Sequence, residues 1–160
     1  MKWLLIPSVI ALTMDAAAHG VETSDPVPFP ESYRSWVHVK TALIGPASPM
    51  FKSAGGFHHV YANPQAMEGL RTGVFTTGSI LVFDRLTSSE SDGQMVEGTR
   101  LSVDVMMRDS LRYADTGGWG FERFAGDTRT GIVGPHAKAT CFDCHSARRD
   151  NVYVYSSFRK

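Results

Sequence analysis

Apolar and polar positions alternate with a period of two through much of this chain. Trp36-Val37-His38-Val39-Lys40-Thr41 combines that alternation with β-branched residues, which predicts a strand. Gly45-Pro46 ends it, and Ser48 to Gly55 reads as a loop or a short helical turn. Phe57 to Tyr61 predicts a second strand. Asn63-Pro64 then reads as a helix start, with Asn63 as cap, Pro64 in the first turn, and Gly73 as the stop after Arg71. Ser79 to Leu86, entered through the Thr77-Gly78 turn, is the clearest strand signal. Thr87 to Gly98 is polar and turns at Asp92-Gly93. From Thr99 to Arg108, Leu101, Val103, Val105 and Met107 alternate with Ser102, Asp104 and Met106. Trp119 to Phe124 predicts another strand, 136–149 a locally helical stretch, and Asn151 to Phe158 a last strand.

No apolar i, i+3, i+4, i+7 pattern persists over about 15 residues, so long amphipathic helices are not expected. Five or six strands with a few short helices predict an α+β domain, mainly antiparallel sheet.

The first 18 residues differ from the rest. Met1-Lys2 is a short positive start, Trp3 to Met14 is nearly all apolar, and Ala16-Ala17-Ala18 offers small residues for cleavage. This reads as a secretory signal peptide, too short for a membrane span. Residues 19–31, with Pro26, Pro28 and Pro30, read as an extended leader, and 32–160 as a single domain. About 140 residues after the signal suit one domain with a real core. No further apolar run approaches the length of a membrane span. Lys plus Arg and Asp plus Glu number 16 each, a balance that argues against nucleic acid as a partner.

The chemistry concentrates near the C-terminus. Cys141-Phe142-Asp143-Cys144-His145 is a C-x-x-C-H sequence, the attachment pattern of a c-type haem. Two thiols at that spacing can each add to a vinyl group of one haem, and the next histidine reaches the iron. The only two cysteines are these, so a four-ligand zinc site lacks thiols. A redox C-x-x-C is the competing reading. It normally opens a βαβ unit, whereas here only 15 residues follow His145. The expected cofactor is one covalent haem c, held by Cys141 and Cys144 with His145 as proximal iron ligand. Export fits it, because c-type haem is attached outside the cytoplasm, in bacteria in the periplasm.

The other face of the iron decides what such a protein does. An electron carrier fills it with Met or His. Met50, Met67, Met95, Met106, Met107, His38, His58, His59 and His136 qualify by type, each with core packing or exposure as the plainer reading. His58 and His59 are adjacent on a strand, so one of them at most faces the site. Arg148, three residues after His145, would share its face in a helix and is a candidate partner for a haem propionate.

Several stretches resemble, in order, the cytochrome P-460 and cytochrome c′-beta family. They are Tyr33-Arg34-Ser35-Trp36-Val37, Val60-Tyr61-Ala62-Asn63-Pro64, Thr72-Gly73 with Phe75 and Gly78-Ser79, Arg108-Asp109-Ser110, Trp119 with Phe121, and the C-x-x-C-H motif. The resemblance covers roughly Ser32 to the end. It implies a haem protein whose P-460 branch cross-links a strand lysine to the haem and oxidises hydroxylamine. The lysine position falls on Phe83. After Lys2 the lysines are Lys40, Lys52, Lys138 and Lys160, none of them between Ser79 and Leu86. The resemblance therefore points to the c′-beta branch, with phenylalanine capping the distal side. Phe83 is the leading wall residue and Phe57 a second candidate. The distal glutamate of the P-460 branch falls on Asp104, a candidate proton acceptor that is one methylene shorter.

The expectation is a periplasmic haem protein with five-coordinate iron and an apolar distal pocket for small gaseous ligands such as NO and CO. Its role would be NO handling or electron transfer, with a redox partner protein and, by resemblance, a homodimer. Hydroxylamine or NO oxidation, with Asp104 taking the proton, and a six-coordinate electron carrier are the alternatives.

Overall fold

The computed structural model describes residues 26–159. There the alternation is realised as one antiparallel meander. Its strands are β1 (Val37–Ile44), β2 (Gly56–Ala62), β3 (Ile80–Ser91), β4 (Gln94–Arg108) and β5 (Trp119–Ala125), each paired with its sequence neighbour. The signal-peptide reading and most of the leader lie outside the described residues. No described helix is long and apolar enough to cross a membrane.

Local chemistry sets the connections. A four-residue helix, α1 (Phe51–Ala54), precedes β2, and α2 (Pro64–Thr72) follows it. Asn63 caps α2 as expected. Its Oδ1 accepts from the amides of Ala66 and Ile80 at 2.9 and 3.0 Å, and its Nδ2 donates to the Gly78 carbonyl at 2.8 Å. One buried amide thus fastens the helix start to the start of β3. Gly73 ends α2 in the left-handed region at φ 79°. Asp92 and Gly93, both at positive φ, make the tight turn that returns β3 into β4. These strands are longer than the sequence pattern suggested, because the polar segment Thr87 to Gly98 pairs with itself as a projecting hairpin, Ser88 opposite Glu97 and Ser91 opposite Gln94.

Side chains alternate across the sheet, so each face has its own core. On the far face Val82, Val103, Val105 and Phe124 pack with Val27, Tyr33 and Tyr113. The fully buried carboxylate of Asp84 is held there by Tyr33 Oη and Arg100 Nε, both at 2.8 Å. On the near face Ala62, Leu81, Trp119 and Phe121 pack with Ala66 and Met67 of α2, Phe75 and Val154.

The chain then crosses to the near face along β5. Ile132 N donates to Arg123 O at 2.9 Å, and buried Glu122 accepts from the amides of Val133 and Gly134 at 2.7 and 3.2 Å. The helical stretch read at 136–149 forms as 3-10 turns at Gly134–His136 and Ser146–Asn151, a π turn at Lys138–Phe142 and α3 (Asp143–His145). The expected strand Asn151 to Phe158 does not form. Val152 and Tyr153 sit at φ 51° and 66°, a left-handed pair that folds the chain back instead of extending it. Tyr153 N bonds Arg148 O at 2.7 Å, and Trp119 Nε1 bonds Val152 O at 2.9 Å.

Candidate haem site

The C-x-x-C-H segment lies against the near face, where Cys141, Phe142 and Tyr153 join the core of Leu81, Trp119 and Phe121. His145 is fixed by the left-handed turn. Its Nδ1 donates to the Tyr153 carbonyl at 2.8 Å, which leaves Nε2 with its lone pair free. The ring is packed by Phe121 at 5.0 Å and edge-on by Tyr155 at 5.3 Å between centroids. Burial holds its pKa below the usual value, which keeps the imidazole neutral, the form that ligates a metal.

Both thiols are unpaired, Cys141 partly buried and Cys144 exposed. Burial pushes the Cys141 thiol up to about 11, against the pull of nearby Arg123. A redox C-x-x-C needs a thiolate of lowered pKa, and the shift at Cys141 runs the other way. Among the described residues no three His, Cys, Asp or Glu side chains converge as a metal-binding cluster. The segment thus offers what a covalently held haem requires, two free thiols and one oriented neutral imidazole. The group would add an iron able to take a small ligand.

The sheet places the remaining candidates by register. Val60, Phe83, Asp104 and Arg123 lie directly opposite one another across β2, β3, β4 and β5, so all four share the near face. Phe83 therefore stands on the side to which His145 is presented. Asp104 is not a free carboxylate. Arg123 grips it with Nε on Oδ1 at 2.8 Å and Nη2 on Oδ2 at 2.5 Å, a two-pronged ion pair. That pair raises the pKa of the Arg123 guanidinium. Its signal was present in the sequence as a charge at the inward position two residues after Phe121.

Phe57 falls elsewhere. It pairs with Leu86 and stacks on His59 at 6.1 Å with rings 4° from parallel, on the far face. Strand alternation separates it from Phe83, which contacts His58 instead, edge to face at 5.7 Å. Hence His58 is the inward member of the histidine pair. It bonds the Ala54 carbonyl at 2.6 Å, and burial lowers its pKa. Met107, His38 and His59 belong to the far face. Met106 is on the near side, packed in its core. Arg148 is half-exposed. It approaches Asp150 at 3.8 Å and lies over the Tyr155 ring at 5.7 Å, with non-helical backbone. The surroundings of Phe83 are also more polar than expected, since His58, Arg85, Asp104 and Arg123 flank it.

A mainly antiparallel sheet followed by a C-x-x-C-H segment fits a c-type haem protein rather than the helical cytochromes. A family model described as Cytochrome P460 matches residues 30–156, and the chain belongs to that family. No curated protein sequence matches it.

Proposed function

We propose that this chain is a c′-beta-type cytochrome of the periplasm, carrying one haem c that is covalently attached to Cys141 and Cys144. His145 ligates the iron through Nε2, and the opposite side stays open to NO or CO beside Phe83. The role is NO handling or electron transfer. The observation that carries the reading is Phe83. It occupies the inward β3 position where the resemblance places a cross-linking lysine, and β3 has no lysine at all. The phenyl group itself offers no hydrogen-bond donor, whatever its polar neighbours offer, and its bulk favours small ligands.

The intact mass of protein matured with a haem-attachment system tests the attachment. One added haem is expected, lost when both cysteines become serine. Haem retained in the double variant would contradict the assigned anchor.

The oxidase reading needs a carboxylate free to accept a proton. Asp104 is instead committed to Arg123, which supports ligand binding over hydroxylamine oxidation. Hydroxylamine turnover with an artificial electron acceptor discriminates between them. Turnover that falls in Asp104→Ala would favour the oxidase.

A further inference from the structure

Next to the row that contains Phe83 runs a second one. His58 pairs with Arg85, and Arg85 pairs with Ser102, so these three side chains stand side by side on the near face. The row has unfinished hydrogen bonding. Arg85 Nη2 donates to the Ser53 carbonyl at 3.0 Å, but its buried Nε has no partner. Ser102, 3% exposed, has a buried Oγ that is likewise unpaired. Buried donors without acceptors are uncommon and mark strain or a missing ligand.

The charges agree. No described carboxylate forms an ion pair with Arg85, and Asp104, whose charge acts on it, is engaged by Arg123. The near face thus holds Arg85 as a partly buried cation without a counter-ion, beside His58 and Arg123. Desolvation opposes such a cation unless an anion joins it. A guanidinium and a hydroxyl next to each other suit a planar oxyanion, which accepts from Nε and Oγ together.

We infer that Arg85 and Ser102 form an oxyanion site on the haem-facing side of the sheet. Its occupant is a carboxylate-like group that the described residues do not supply. Two sources share that chemistry, a propionate of the attached haem and a free small anion such as nitrite. The inference rests on the haem reading of this face.

The test uses holoprotein of wild type, Arg85→Met and Arg85→Lys, each first shown by intact mass to carry one covalent haem. That check isolates the two claims, because a wild-type chain without haem fails the haem reading before the site is examined. Nitrite is then titrated onto the ferric protein by absorbance, and the reduction potential is measured. A free-anion site predicts nitrite binding roughly tenfold or more weaker in Arg85→Met and largely kept in Arg85→Lys. A propionate site predicts unchanged nitrite binding and a lowered potential in Arg85→Met, whose slope against pH is altered and which Arg85→Lys restores. Ser102→Ala shifts the same readout more weakly. Nitrite affinity and potential both equal to wild type in haem-loaded Arg85→Met would overturn the inference.

Discussion

His145 hydrogen-bonds through Nδ1 to the carbonyl of Tyr153, eight residues on, at 2.8 Å. That carbonyl is aimed by the left-handed pair Val152-Tyr153, a conformation costly for a β-branched and an aromatic residue. The bond sets the tautomer before any iron is bound. It leaves Nε2 as the nitrogen that would ligate the proposed haem iron, and such a bond increases the basicity of the ring.

His145→Gly is expected to keep haem attached through the thiols while losing the proximal ligand. Added imidazole should restore the wild-type ligand-binding spectrum. A His145→Gly spectrum identical to wild type without imidazole would place the proximal ligand elsewhere.

Phe83→Ala should open the distal side. Imidazole, too bulky for the native site, is expected to bind ferric iron about tenfold more tightly than in wild type, in line with a difference of a few methylenes in a pocket. CO binding should change less. Equal imidazole affinity in the two proteins would put the phenyl ring away from the iron.

The far face predicts an alkaline weakness. Burial, and then the hydrogen bond to Asp84, raise the Tyr33 pKa from 10.0 to about 12. Its protonated form is thus favoured in the folded state. The stability from this group is fully present below about pH 10 and is lost as pH rises toward about 12. Urea melts across that window should show this decline, and Tyr33→Phe should flatten it. An unchanged slope in Tyr33→Phe would assign the alkaline loss to another group.

Asp84→Ala leaves Arg100 half-stripped of its partners and should cost about 3–5 kcal/mol, as for other broken buried ion pairs. Asn63→Ala removes the cap that links α2 to β3 and should cost about 2–3 kcal/mol. Both are read from denaturant midpoints at neutral pH. A loss under about 0.5 kcal/mol in either would show that the bonds are not structural.

Much of this fold is legible as alternation. The inward positions of β4, Ser102, Asp104 and Met106, were separable from Val103 and Val105 by period alone, and Asn63-Pro64 announced its helix through cap chemistry. The C-x-x-C-H motif pointed to haem, the cofactor that the family match also implies. Two kinds of feature stayed hidden. Val152-Tyr153-Val154-Tyr155 reads as a strand by composition, because nothing local shows that two non-glycine residues will turn left-handed to reach Trp119 and Arg148. Register was the other. Strand periodicity puts Phe57 and His58 on opposite faces, but only their pairing with Leu86 and Arg85 shows which face meets His145. The Asp104 to Arg123 pair depends in the same way on β4 and β5 being aligned, a non-local fact.

The most direct test of the central claim is the optical spectrum of the reduced protein with and without CO. A five-coordinate high-spin spectrum that converts on CO addition is predicted for an iron held by His145 and open beside Phe83. A six-coordinate low-spin spectrum indifferent to CO, or the red-shifted Soret band of a lysine-cross-linked haem, would contradict it.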